Sequence, residues 1–136
     1  MKILSLDYGT KRVGLATCDA LEITVNPKGF FENNKDLFEK LKQFIQQEQI
    51  QKVILGLPLS MDGSSSAMTH EVKLFHQNLS AYLNIPIEFW DERLTSHEAQ
   101  KILIDQNVRR QKRKTLVDGL AACLLLEDYL GSKKSR

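Results

Sequence analysis

Ile3-Leu4-Ser5-Leu6-Asp7-Tyr8-Gly9-Thr10-Lys11-Arg12-Val13-Gly14-Leu15-Ala16-Thr17-Cys18 decides how this chain folds. Its apolar runs flank a turn made of Gly9, Thr10, Lys11 and Arg12. That pattern predicts a β-hairpin, with glycine supplying the unusual backbone angles of the turn. Asp7 closes the first run. A carboxylate there interrupts an apolar strand, and burying one is costly unless a cation or hydrogen-bond donors meet it. Alone, it also reads as a turn aspartate bonding its own backbone. Carboxylates at comparable places further along shift the balance toward a site.

Outward from the hairpin, residues 22–25 read as a third strand, ended by Pro27 and Gly29. Residues 33–48 form a helix, with Leu37, Phe38, Leu41, Phe44 and Ile45 on one apolar stripe and Asn33 or Asn34 as its cap. Lys52-Val53-Ile54-Leu55-Gly56-Leu57 is a nearly continuous apolar run, as in a strand buried on both faces. A polar loop over 58–66 leads into a helix carrying Met68, Val72, Phe75, Leu79 and Tyr82. The strand 85–90 runs into Asp91-Glu92-Arg93. Thr95 and Glu98 form a capping box that starts another helix through Ala99, Ile102 and Leu103. The basic run 109–114 breaks the pattern. A last helix runs from about Thr115 to Leu130, where Gly131 stops it. A meander followed by alternating strands and helices predicts an α/β fold: a mixed sheet with helices packed on its faces.

At 136 residues the whole chain, 1–136, is expected to be one domain. Apolar residues make up 42%, enough for a real core, and a net charge of +2 excludes a global polycation. Any affinity for nucleic acid must come from local clusters. Cys18 and Cys123 have no metal-ligand spacing and make no disulfide framework, so both read as small core residues in a reducing compartment. The apolar run after Met1-Lys2 breaks at Asp7, unlike a signal peptide, and no stretch approaches the ~20 apolar residues of a membrane span. The expectation is a cytoplasmic protein with no membrane partner.

Asp7, Asp91, Glu92 and Asp118 stand at unusual places. Asp91 and Glu92 are neighbours at a strand end, so usually only one of them faces a given site. Asp118, Ala122, Leu125 and Tyr129 form one helical column, and Asp118 tops it. Clustered carboxylates without histidine ligands suit a hard cation, Mg²⁺ or Mn²⁺. A pair of such ions about 4 Å apart activates water and stabilises the leaving oxygen in phosphodiester hydrolysis. His70, His76 and His97 lie singly on predicted helices and read as surface or packing residues.

Taken together, Asp7-Tyr8-Gly9-Thr10-Lys11-Arg12-Val13-Gly14-Leu15-Ala16, Gly56-Leu57-Pro58-Leu59-Ser60-Met61-Asp62-Gly63-Ser64, Asp91-Glu92-Arg93-Leu94-Thr95 and Val117-Asp118-Gly119-Leu120-Ala121-Ala122 make a recognisable set. The chain resembles the YqgF/RuvX family, described as Holliday-junction-resolvase-like proteins and as nucleases that mature the 5′ end of the 16S ribosomal RNA precursor. The resemblance implies a ribonuclease H-like fold with a five-stranded mixed sheet. It implies catalytic, metal-binding acids at Asp7, at Glu92 or Asp91, and at Asp118. Glu92 is favoured over Asp91 because its longer side chain reaches further. Resolvases of the RuvC type carry an acid in the fourth strand. Here that strand reads Val53-Ile54-Leu55-Gly56, so the site must take its acid from the Asp91-Glu92 motif.

Lys11, Arg12 and Arg93 adjoin these acids and are candidate contacts to a scissile phosphate. Their other reading is charge balance. Arg109, Arg110, Lys112, Arg113 and Lys114 are a candidate contact to the phosphate backbone, or else a solvated loop. Tyr8 and Trp90 could stack on a base, though core packing suits Trp90 better. The expected substrate is structured RNA, or else branched DNA, and the expected state is monomer or homodimer. A sugar-kinase or actin-type ATPase needs a second half and a second phosphate loop that this chain lacks. A catalytically silent nucleic-acid-binding module of ribosome assembly is the remaining rival.

Overall fold

A computed structural model of the protein describes residues 1–59, 65–91 and 110–134, with the side chains of 119–133 in the last segment. β1 (Ile3–Asp7), β2 (Arg12–Cys18) and β3 (Val25–Glu32) form the expected meander. They are followed by α1 (Leu37–Glu48), β4 (Lys52–Leu57), α2 (Ala67–Tyr82), β5 (Ile87–Asp91) and a long α3 (Arg110–Lys134). The five strands make one sheet in the order β3-β2-β1-β4-β5. β1 pairs antiparallel with β2 and parallel with β4, and β5 adds parallel to β4. The sheet is mixed, as the element order implies. The helix expected from Thr95 lies outside the described residues.

Alternation along the strands separates two cores. Leu4, Leu6, Val13, Leu15, Val53 and Leu55 pack against Leu37, Leu41 and Ile45 of α1 and Val72, Phe75 and Leu79 of α2. On the other face Ile3, Cys18 and Ile54 meet Leu125, Leu126 and Tyr129 of α3, and Ala16 meets Ala122. Ala122, Leu125 and Tyr129 are all buried, so the predicted column does face the sheet. The continuous apolar run of β4 is explained by burial on both sides. Burial also raises the Cys18 thiol and pushes that of Cys123 up to about 11, as expected of unreactive core cysteines.

Several boundaries differ from those read in the sequence. β3 begins at Val25 and runs through both Pro27 and Gly29. It is an edge strand, where proline's missing N–H leaves no ladder bond unmade. Between the pairs Gly14↔Phe30 and Ala16↔Pro27 it carries one extra residue, a bulge that Gly29 accommodates at φ +80°. The α1 cap is Asp36, not Asn33 or Asn34. Asn33 is drawn away because its side-chain amide donates to the Gly9 carbonyl, tying the hairpin turn to the start of α1. The α2 cap is Ser66, closed reciprocally by Thr69. Tyr82 lies at the exposed edge of its stripe, where its hydroxyl donates to Glu39.

α3 is longer at both ends than expected. Residues 110–114 are helical, because Arg, Lys and Gln are strong helix formers. The helix also passes through Gly131. A helical glycine costs about 1 kcal/mol, and anchors on either side offset it. Tyr129 and Leu130 are buried, and Lys133 pairs with Glu22 at 2.9 Å. Lys52 bonds the Tyr129 hydroxyl at 2.6 Å and Glu88 at 2.6 Å, while the Trp90 indole donates to Asp128.

Candidate active site

Asp7 ends β1, half-buried. Its direction follows from its neighbours. Ile3 packs under α3 and Leu4 and Leu6 under α1 and α2, so Ser5 and Asp7 belong to the α3 face. The same reasoning places Gly14 of β2 and Gly56 of β4 on that face, since Ala16 and Ile54 pack there. Asp7 pairs with Gly14, and one step beyond Leu6↔Leu55 it lies beside Gly56. Gly14 in turn pairs with Phe30, and Gly56 with Trp90.

One row across all five strands therefore reads Phe30, Gly14, Asp7, Gly56, Trp90. The carboxylate stands between positions without side chains, and aromatic residues flank these in the outer strands. With strands about 4.8 Å apart, the glycines leave roughly 10 Å of bare sheet around Asp7. Strand glycine is unfavourable unless something must approach the backbone. Its presence on both sides of a carboxylate is the sequence signal that could have marked this trough.

α3 crosses this face over β1, β2 and β3. Gly119 comes so close to β3 that a Cβ there would lie 3.1 Å from the Pro27 Cβ. Asp118, the residue before it, thus belongs to the helix covering the Asp7 face. Its side chain and the whole of Glu92 lie outside the described part of the structure, as do Arg93 and Arg109.

Asp91 is placed elsewhere. Trp90 and Glu88 contact α3-side partners, whereas Ile87 and Phe89 join the α1/α2 core. Alternation puts Asp91, exposed at the end of β5, on the α1/α2 side. Asp7 and Asp91 therefore occupy opposite faces, two strands apart.

Arg12 lies on the Asp7 face of β2, and its guanidinium stacks over Phe30 at 4.7 Å. Lys11, in the turn, is exposed. Trp90 is a packing residue, edge-on to Tyr129 at 5.3 Å. Arg110, Lys112, Arg113 and Lys114 lie on α3, not in a loop. His76 stacks on Phe89 and bonds the Ile87 carbonyl, as expected of a packing histidine.

Among the described residues no three His, Cys, Asp or Glu side chains converge as a metal site. The surroundings of Asp7 nonetheless fit a hard cation. The glycines leave space, and the candidate ligands are carboxylate oxygens. One buried polar atom is also left over. Ser5 Oγ, fully buried one pleat below Asp7, has no hydrogen-bond partner. Such a hydroxyl costs about 1–3 kcal/mol. If packing is its only role, Ser5→Ala should raise stability by about 1 kcal/mol in a urea melt, with cleavage unchanged. Lower activity at unchanged stability would show that the hydroxyl serves the site.

A family model described as "RuvX: Holliday junction resolvase" matches residues 1–132. The chain belongs to the RuvX family. The relative from Thermoanaerobacter pseudethanolicus is 39% identical over 142 residues, covering 100% of both chains, and that from Listeria monocytogenes is 36% identical over 96% of this chain and 97% of its own. Both carry the name "Putative pre-16S rRNA nuclease". Among solved structures, the fowlpox virus resolvase bound to Holliday junction DNA superposes with a TM-score of 0.61 over 98% of this chain and 99% of its own, at 15% identity. Thermus thermophilus RuvC with a junction substrate gives 0.58 at 11% identity, covering 97% of each chain. The fold of this RuvX protein is thus ribonuclease H-like, with a five-stranded mixed sheet.

Proposed function

We propose that this protein is a metal-dependent nuclease that cleaves phosphodiester bonds in structured RNA, processing the 5′ end of the 16S ribosomal RNA precursor in the cytoplasm. The observation that carries this reading is Asp7 in its glycine-flanked trough, on the sheet face covered by the helix that bears Asp118. The names of relatives at 35–39% identity supply the substrate class. Asp7, Glu92 and Asp118 are the proposed metal ligands and catalytic residues. The opposite placement of Asp91 supports Glu92 as the functional acid of its motif. Mg²⁺ or Mn²⁺ held there would activate water and neutralise charge on the leaving oxygen. Arg12, held rigid by Phe30, with Lys11 and Arg93, would position the scissile phosphate.

A cleavage panel tests this: precursor 16S RNA with its 5′ leader, single-stranded RNA and a four-way DNA junction, each with Mg²⁺ or Mn²⁺. Preferential leader cleavage supports the reading. Selective junction cleavage would instead make the protein a resolvase, the activity that its family description names. Binding without cleavage of any substrate would make it a silent assembly module.

The basic residues Arg109, Arg110, Lys112, Arg113 and Lys114 supply backbone affinity in this scheme. Neutralising all five should weaken binding irrespective of sequence and flatten the log Kd against log salt slope by about 0.7–0.9 for each phosphate no longer neutralised. Turnover at saturating substrate should hold, because interactions equal in the ground and transition states affect affinity alone. An unchanged slope would leave nucleic-acid binding to Lys11, Arg12 and Arg93.

A further inference from the structure

On the opposite sheet face, a cleft of about 380 Å³ opens between Tyr8 at the end of β1, the 33–38 segment and α2. Its apolar walls are Tyr8, Phe38 and Leu74, the last 57% exposed although it sits in the middle of α2. Its polar lining includes the amides of Asn34 and Asn78. Asn34 accepts from the Asp36 N–H through Oδ1, which leaves its amide nitrogen open. The Asn78 side chain makes no hydrogen bond among the described residues. Lys35 lines the rim, and Glu71 contributes one carboxylate.

We propose that this cleft receives a single unpaired nucleobase of the bound strand, beside the bond cleaved at Asp7. The proposal rests on the nuclease reading for its substrate class. Ring and aliphatic walls suit the face of a base, and an asparagine amide offers the donor–acceptor pair that matches a base edge. An aliphatic occupant would leave the amides unsatisfied, and a bare anion would meet Glu71. Position gives the second argument. Asp7 and Tyr8 are consecutive, their Cα atoms about 3.8 Å apart, and their side chains point to opposite faces. A nucleic-acid strand bent over the end of β1 presents its phosphate to one face of the sheet and a neighbouring base to the other. Taking that base out of a helix is easiest where it is already unpaired, which would direct the enzyme to junctions between paired and unpaired segments.

The test is a titration of the full chain with each nucleoside monophosphate, and with ribose 5-phosphate, followed by amide chemical shifts. At least one nucleotide is expected to shift Tyr8, Asn34, Leu74 and Asn78, and ribose 5-phosphate none of them. The L74A/N78A double variant alters exposed positions and should keep its melting temperature while its Kd for that nucleotide rises about tenfold. Equal shifts with ribose 5-phosphate, shifts mapping away from the cleft, or an unchanged Kd in the variant would overturn the proposal. The outcome is independent of cleavage: binding in the cleft by a protein inactive on every RNA and DNA would refute the nuclease and keep the base site. RNA cleavage without nucleotide binding would do the reverse.

Discussion

Asp7→Asn is expected to lower metal-dependent cleavage at least about a hundredfold, to the limit of detection, while the protein stays folded. Asparagine preserves the shape of the side chain and one acceptor oxygen but removes the negative charge that a divalent cation needs. Charge stabilisation by a metal is worth several kcal/mol in the transition state, and each ~1.36 kcal/mol is tenfold in rate. Gly14 and Gly56 present no side chain beside Asp7 to take over as ligand. Stability should change by less than about 1 kcal/mol, because half-buried Asp7 faces a trough and not the packed core. In metal-free buffer the variant should be at least as stable as the parent if Glu92 and Asp118 approach Asp7 as proposed, because like charges are then relieved. Cleavage assays with Mn²⁺, paired with thermal melts, read both quantities. Retained cleavage would remove Asp7 from the chemistry. A large loss of stability would make it a structural residue of the hairpin.

The second large effect belongs to Gly9. A Cβ at this position would sit 2.5 Å from the Arg12 carbonyl oxygen, a backbone atom that cannot swing aside. Gly9→Ala should therefore destabilise the fold by about 1–3 kcal/mol. The strain falls on the turn joining the strand that ends in Asp7 to the strand that begins with Arg12. Cleavage should suffer beyond the loss of folded protein, since the carboxylate and the guanidinium would move relative to each other. The Asn33 bond to the Gly9 carbonyl holds the same turn from outside, and Asn33→Ala should show a weaker version of both effects. Activity per folded molecule, measured well below the melting temperature, separates the contributions. A Gly9→Ala protein as stable and active as the parent would show that the turn adapts freely. This need for glycine differs from that expected of a hairpin turn. Steric closeness requires Gly9, whereas Gly29 has the positive φ among the described glycines.

Much of this architecture was legible in the residues. The apolar run of β4, the stripes of α1 and α2 and the column Ala122, Leu125, Tyr129 each name the face they bury, because a strand repeats every two residues and a helix every 3.6. Asp7 stood out because a carboxylate closing an apolar strand needs a compensating partner. Boundaries were less legible where tertiary contacts outweigh local preference. Pro27 is tolerated because β3 lies at the edge, Gly131 because its neighbours are anchored, and Asn33 leaves its cap to hold Gly9. The face that Asp91 takes could not be read from the sequence, since alternation alone does not say which of two neighbouring acids turns to which side. The packing of Trp90 against α3 and of Phe89 against the other core sends Asp91 to the far face. The glycine-flanked row around Asp7 also needed the fold, because strand register sets Gly14 and Gly56 on either side of it, and they are far from each other in the chain.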